Sequence, residues 1–138
     1  MRILALDYGA ARCGVAVSDP TGTLATPLEP VLRPGSKRGF ARLVGLVAEL
    51  EAERVLVGLP LSLSGRDSAQ TLETREFASR LAAAVPVPVA LYDERFTTSL
   101  ASRIGGETPL DSRAAAILLD EWLQLPIHGG DDHGNEHA

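Results

Sequence analysis

The hydrophobic pattern of the chain begins with an unbroken apolar run. Ile3 to Leu6 contains no polar residue, which is typical of a strand buried on both faces. Asp7 follows where this strand leaves the core, and Tyr8 and Gly9 supply a turn. A buried carboxylate is costly unless it is paired, hydrogen-bonded or bound to a metal ion. Asp7 is therefore the first candidate for chemistry.

Two more strands are predicted before the first helix. Residues 8–12 form a hairpin loop, and Cys13–Ser18 has the composition of a second strand. A third run, Leu24–Leu32, contains two prolines. Proline cannot donate to a ladder, so this run is predicted to be an edge strand.

Helical and strand patterns alternate through the rest of the chain. The predicted elements are a helix, a strand, a long helix, a strand, a short helix and a last helix: Lys37–Glu53, Arg54–Gly58, Asp67–Ala84, Val89–Tyr92, Thr97–Ile104 and Asp111–Leu125. Asp67 and Gln70 have the spacing of a capping box at the start of the long helix. The inward stripe of that helix is expected to consist of Leu72, Phe77, Leu81 and Ala84.

This order of elements predicts an α/β fold. Hairpins make the opening strands antiparallel, whereas helical crossovers make the later strands parallel. We expect one domain, residues 1–126, built on a mixed five-stranded sheet flanked by helices. Residues 127–138 form an acidic tail that contains His128, His133 and His137, and the interspersed glycines favour disorder over a metal site there.

Composition narrows the function classes. No apolar run approaches the roughly 20 residues of a membrane span, and the chain enters its first strand too early for a signal peptide. Cys13 is the only cysteine, so we expect no intramolecular disulfide and a cytoplasmic location. The net charge of −5 argues against a surface broadly coated by nucleic acid, but it leaves a local site for nucleic acid open.

Three carboxylates fall at the ends of predicted elements: Asp7, Glu94 and Asp111. Ligands gather at the carboxyl ends of parallel strands in α/β sheets. The apolar residues 115, 118 and 122 share a helical face with Asp111, so this acid is expected to point toward the sheet. Carboxylate oxygens suit Mg²⁺ or Mn²⁺, and no Cys/His cluster suggests zinc.

Each acid also has a structural interpretation. Asp111 could be the N-cap of its helix, and Asp7 could stabilise its own turn. Asp93, Glu94 and Arg95 could form a solvated ion pair. Strand alternation places Asp93 and Glu94 on opposite faces, but the sequence does not tell which of the two shares a face with Asp7.

Several motifs together resemble the YqgF/RuvX family. They are Leu4–Gly9, Arg12–Asp19, Gly58–Pro60 with Gly65, Asp93–Thr98, and Asp111 with Ala114, Ala115 and Ile117–Leu119. The resemblance covers residues 2 to about 126 and misses only the tail. It implies a compact ribonuclease H-like fold, and the family is described both as Holliday junction resolvase-like and as a pre-16S rRNA nuclease.

The resemblance implies that Asp7, Glu94 and Asp111 are the catalytic, metal-binding acids, with Asp93 as the alternative to Glu94. The implied chemistry is phosphodiester hydrolysis with two Mg²⁺ or Mn²⁺ ions, in which Asp7 bridges the ions.

Four basic residues are candidates for phosphate contacts, because arginine forms planar pairs with phosphate. Arg12 and Arg95 match family motif positions, whereas Arg66 and Lys37 are selected for their loop placement. One departure from the family lies at Thr108–Leu110, where a basic residue is expected in many relatives. It leaves one possible phosphate contact open.

The implied substrate is a nucleic acid, either structured RNA, in 5′-end processing of pre-16S rRNA, or branched DNA. Paired incision of a four-way junction needs a homodimer, whereas a monomer can trim RNA.

Two other hypotheses remain. The turn after the first strand also resembles the phosphate loop of actin-like ATPases and sugar kinases, although 138 residues leave no room for their second domain. The chain could also be a catalytically silent module that binds RNA or ribosomes.

Overall fold

The fold is taken from a computed structural model that describes residues 1–59, 68–93 and 110–124, with the backbone alone at positions 93, 110 and 111. The described elements are β1 (Ile3–Asp7), β2 (Arg12–Ser18), β3 (Ala25–Leu32), α1 (Lys37–Glu49), β4 (Arg54–Leu59), α2 (Ala69–Ala84), β5 (Val89–Asp93) and α3 (Leu110–Leu123). The predicted helix at 97–104 and the tail at 127–138 lie outside the described residues.

The five strands form one mixed sheet in the order β3-β2-β1-β4-β5. The pairs β1–β2 and β2–β3 are antiparallel, and β1–β4 and β4–β5 are parallel. The predicted mixed sheet is confirmed, with the proline-containing strand at an edge. One end of the sheet is called the Asp7 end below: there β1, β3, β4 and β5 finish and β2 begins.

Alternate residues of the central strands build two cores. Leu4 and Leu6 of β1 pack with α1 and α2 on the first face. Ile3 and Ala5 pack with α3 on the second face. All four side chains are at most 1% exposed, so β1 is buried on both sides, as its unbroken apolar run predicts.

Small residues bring α3 close to the sheet. Ala5, Ala16 and Ala90 line the second face, where Leu118 and Trp122 of α3 pack against them. Since alanine side chains are short, the helix backbone can approach the strands closely. The apolar part of the predicted inward face, Ala115, Leu118 and Trp122, is thereby confirmed, and the direction of the Asp111 side chain stays a prediction.

A buried hydrogen bond fixes the start of α3 on the sheet. The β2–β3 register shifts between Cys13 and Val15, and such irregularities take a backbone group out of regular pairing. The Val15 N–H donates to Oγ of Ser112 at 3.1 Å. Ser112 is fully buried, so the first turn of α3 is held beside β2 at the Asp7 end.

The end of α1 differs from the prediction. The helix ends at Glu49 rather than Glu53, because the chain enters a left-handed conformation at Glu51 with φ 53°. The N–H groups of Glu51 and Ala52 donate to the carbonyls of Ala48 and Val47, the pattern of a Schellman cap. Glycine usually fills this position, and the glutamate gave no such signal.

The start of α2 also differs from the prediction. The N-cap is Ser68, whose hydroxyl accepts from the Thr71 N–H at 3.1 Å, so the capping box expected at Asp67 is wrong. Asp67 itself lies outside the described residues.

The predicted stripe of α2 is half wrong. Phe77 and Leu81 are buried, but Leu72 is 57% exposed and Ala84 is exposed. Thr71 and Thr74 take their place in the core, and both are fully buried. Their hydroxyls are hydrogen-bonded locally, to the Ser68 hydroxyl and the Gln70 carbonyl, which allows polar side chains to be buried.

The junction of β3 and α1 is tightly packed. A Cβ on Gly39 would lie 2.0 Å from the Arg33 carbonyl oxygen and 2.6 Å from that of Leu32. Arg33 is left-handed, with φ 48°, and its carbonyl accepts from the backbone N–H and the hydroxyl of Ser36, the N-cap of α1. Only glycine lets the helix start so close to the strand end.

We expect Gly39→Ala to lower the free energy of unfolding by about 1–3 kcal/mol through overpacking. Gly45→Ala is the matched control, because a Cβ there meets only a Glu49 carboxylate oxygen at 3.7 Å. The control should raise stability by roughly 0.5–1 kcal/mol through helix propensity. Urea unfolding of both variants measures this difference, and equal effects would contradict the packing argument.

We expect Ser112→Ala to lower the free energy of unfolding by about 1–3 kcal/mol, because it leaves the Val15 N–H without its acceptor in a buried position. Ser79→Ala makes the same change on an exposed part of α2 and should stay within about 0.5 kcal/mol of the parent. Chemical denaturation compares the two. A Ser112→Ala variant as stable as Ser79→Ala would show that the hydrogen bond does not hold α3.

Candidate functional site

Asp7 is the last residue of β1 and is half-buried. Alternation along the strand places it on the second face with Ile3 and Ala5. That face is the one covered by α3. The carboxylate therefore lies at the Asp7 end of the sheet, where the apolar layer of β1 stops.

Glycines flank Asp7 on both neighbouring strands. Gly14 is its direct partner on β2. On β4, Val57 pairs with Leu6, and one further residue along both strands sets Gly58 beside Asp7. Neither neighbour carries a side chain, so the ladder leaves space around the carboxylate. Glycine within a strand often marks close approach of a ligand.

Tyr8 anchors the chain immediately after Asp7. Its ring stacks on Phe77 of α2 with centroids 4.5 Å apart, and its hydroxyl donates to the Glu73 carboxylate at 2.9 Å. Burial, and next the hydrogen bond to Glu73, raises the pKa of Tyr8 to about 12. The phenol therefore stays protonated as a donor, and it holds the exit of β1 against α2.

Cys13 lies beneath the same end of the sheet. Burial raises the pKa of its thiol, and the neighbouring Asp7 carboxylate raises it further. A protonated thiol is neither a nucleophile nor a metal ligand. This cysteine therefore belongs to the core.

Asp111 is placed by the docking of α3. The helix begins at Leu110, so Asp111 lies within its first turn rather than at the N-cap. The next residue, Ser112, contacts Val15, which pairs with Leu6 of β1. The backbone of Asp111 is therefore held near the end of the strand that carries Asp7, and its side chain is outside the description.

The third predicted acid, Glu94, lies outside the described residues, directly after the end of β5. Asp93, the alternative, is the last residue of that strand and pairs with Leu59. Within residues 1–59, 68–93 and 110–124 no group of three possible metal ligands occurs. Glu94 and the Asp111 side chain lie outside that part of the chain.

Two of the four predicted basic residues are described. Arg12 begins β2 and Lys37 begins α1, and both are exposed at the Asp7 end. Arg66 and Arg95 lie outside the described residues. Arg33 is hydrogen-bonded through its backbone to Ala11 and Ser36, the residues that precede Arg12 and Lys37, and the sequence patterns did not single it out.

The donor chemistry at the Asp7 end fits a hard divalent cation. Asp7 offers a carboxylate flanked by two glycines, and the first turn of α3 brings the backbone of a second acid to the same face. Oxygen ligands of this kind are those that Mg²⁺ and Mn²⁺ prefer.

No helix in the part of the chain that the structure describes has the length and apolar character to cross a bilayer.

Comparison with known proteins gives matches over most of the chain. A protein of Koribacter versatilis named "Putative pre-16S rRNA nuclease" is 39% identical over 132 residues, which cover 89% of this chain and 86% of its own. A protein of the same name from Mycobacterium tuberculosis H37Rv is 42% identical over 147 residues, covering 98% and 86%.

Among solved structures, RuvC of Thermus thermophilus in complex with a Holliday junction substrate superposes with a TM-score of 0.61 at 18% identity, covering 89% of this chain and 93% of that chain. At this identity the likeness shows the fold, which is ribonuclease H-like. The family model described as "RuvX: Holliday junction resolvase" matches residues 1–125. With this match and relatives near 40% identity, the chain belongs to the RuvX family.

Proposed function

We propose that this chain is a metal-dependent nuclease that hydrolyses phosphodiester bonds in 5′-end processing of pre-16S rRNA, in the cytoplasm. The observation that carries the proposal is the setting of Asp7: a half-buried carboxylate at a strand end, flanked by glycines, on the face where α3 begins. The substrate, pre-16S rRNA, is inferred from the names of the relatives.

In this proposal Asp7, Glu94 and Asp111 hold the cation, Mg²⁺ or Mn²⁺. A bound divalent ion would activate water as a Lewis acid and neutralise charge on the phosphate, and a pair of ions could divide these two roles. Asp7 is the central ligand, because its strand lies in the middle of the sheet. Tyr8 keeps the Asp7 backbone in place through its contacts with Phe77 and Glu73.

The register of the sheet favours Glu94 over Asp93. Asp7 shares its face with Ala5, and Ala5 pairs with Leu56, which in turn pairs with Ala90 of β5. Paired residues of neighbouring strands face the same side. If the alternation of β5 continues past its last residue, Glu94 shares the face of Ala90 and Tyr92, which is the face of Asp7. Asp93 then belongs to the opposite face.

The basic residues position the substrate in this proposal. Arg12 and Lys37 are exposed at the Asp7 end, where they would contact phosphates near the scissile bond. Arg66 and Arg95 have the same proposed role. Guanidinium groups pair with two phosphate oxygens at once, so the arginines orient the backbone as well as neutralise it.

The description of the family model favours a second substrate, branched DNA cut by a resolvase-type endonuclease. Paired incision would require a homodimer, whereas a monomer suffices for RNA trimming. Cleavage assays on a labelled pre-16S rRNA end fragment and on a four-way DNA junction separate the two substrates. Sedimentation at the assay concentration reports the oligomeric state.

We expect Asp7→Asn to reduce kcat by about 10³-fold, roughly 4 kcal/mol of barrier, because it removes a charged metal ligand. Asp120→Asn makes the same change at an exposed position of α3 and should leave kcat unchanged. Both variants are assayed with Mg²⁺ or Mn²⁺, with chelator as the metal-free reference. If folded Asp7→Asn, checked by circular dichroism, turns over at the parental rate, the assignment of the site is wrong.

Strand parity gives a sharper expectation for the neighbouring acids. Glu94→Gln should reduce kcat by an amount comparable with Asp7→Asn, whereas Asp93→Asn should change it by less than about tenfold, because strand alternation continued one residue past β5 would set the two positions on opposite faces. The same cleavage assay compares the pair. The reverse order of effects would make Asp93 the ligand.

A further inference from the structure

Two short segments of this acidic chain carry basic residues and no acidic ones. The chain carries 18 acids and 13 bases, yet residues 8–18 and 30–48 contain no acid at all. Five bases lie in these segments: Arg12, Arg33, Lys37, Arg38 and Arg42. The positive charge is therefore local, whereas the net charge of the whole chain is −5.

The fold brings these two segments together at the Asp7 end. Arg12 pairs with Leu32 across β2 and β3, and the Arg33 N–H donates to the Ala11 carbonyl at 2.9 Å. Arg33 thus stands beside Arg12, two strand spacings or roughly 10 Å from β1. Lys37 begins α1 four residues later.

The Arg33 backbone is held in place by its neighbours. The residue has φ 48°, a left-handed conformation that is strained for a residue other than glycine. Its N–H is bonded to Ala11, and its carbonyl accepts from Ser36 at 2.9 Å through the backbone and 2.7 Å through the hydroxyl. The side chain therefore projects from a fixed point.

The charges of this corner are exposed to solvent. Arg12, Arg33 and Lys37 are all exposed, and among the described residues the side chains of Arg33 and Lys37 form no ion pair. Arg42, farther along α1, is instead paired with Glu49 at 3.0 Å. Arg33 and Lys37 differ from Arg42 in this respect.

We propose that Arg33 binds a backbone phosphate of the substrate, and that Arg12, Arg33 and Lys37 form a phosphate-binding track from β3 to Asp7. This inference rests on the proposed nuclease function and adds a contact to it. The ligand is the phosphodiester backbone common to RNA and DNA. A guanidinium on a fixed backbone suits bidentate phosphate binding. Repulsion by the rest of the acidic surface would confine the nucleic-acid backbone to the track.

The test compares Arg33→Gln with Arg42→Gln, two identical charge removals at exposed positions. Binding of a labelled RNA hairpin with a single-stranded 5′ end, and of a four-way DNA junction, is measured by fluorescence anisotropy in EDTA over a range of salt. Arg33→Gln should weaken binding by about tenfold and reduce the slope of log Kd against log salt by roughly 0.7–0.9. Arg42→Gln should change neither quantity appreciably, and Arg33→Lys should keep the slope.

Arg33→Gly removes the charge and the left-handed strain together, so it should be no less stable than the parent in thermal unfolding while losing the same affinity as Arg33→Gln. If Arg33→Gln and Arg42→Gln have equal slopes of log Kd against log salt while the parent protein still binds and cleaves, the proposed track is wrong and the nuclease function stands. Absence of binding and of metal-dependent cleavage in the parent would overturn both.

Discussion

The burial of β1 on both faces is the constraint on which the site depends. Leu4 and Leu6 face one apolar layer, and Ile3 and Ala5 face the other, so no charge can be carried inside the strand without a large desolvation cost. A carboxylate on this strand is tolerable only where the layers stop. Asp7 occupies that position, and the glycines beside it leave solvent or a cation access to it. The same packing that stabilises the sheet therefore limits where its chemistry can lie.

Close approach of α3 adds the second constraint. The alanines of the second face allow the helix to lie near the sheet, and the Ser112 hydrogen bond to Val15 fixes how far along the sheet it begins. Small side chains alone would allow the helix to slide, and one hydrogen bond alone would allow it to tilt. Together they bring the first turn of α3, which contains Asp111, to the end of β1. A second acid can thus be delivered by a helix far away in sequence without any direct contact between the two acids being needed for folding.

The sheet and its edge strand could be predicted because apolar runs, prolines and crossover lengths are local signals. The end of α1 could not, because a glutamate at residue 51 occupies the left-handed cap that glycine normally marks. The buried face of α2 was misassigned because Thr71 and Thr74 are polar by type and become suitable for the core only through their hydrogen bonds. For the site, the resemblance to a family named Asp7 and Arg12, loop placement suggested Lys37, and the structure places all three at one end of the sheet. Ser112 and Arg33 carried no signal, since their importance comes from partners distant in sequence.

The charge distribution explains how an acidic chain could bind a nucleic acid, as the proposed function requires. A uniformly basic surface binds nucleic acid in many registers, because phosphate contacts carry no sequence information. Here the net charge of −5 opposes such binding, and the acid-free segments at 8–18 and 30–48 provide one favourable approach. Exposed charges act mainly within a Debye length, about 8 Å at physiological ionic strength. Arg12 begins β2, one strand spacing or about 5 Å from β1, so it lies within that length and can steer a phosphate toward Asp7, whereas acids on remote surfaces are largely screened from it. The placement of a few bases beside the carboxylate therefore matters more for substrate binding than the overall sign of the charge.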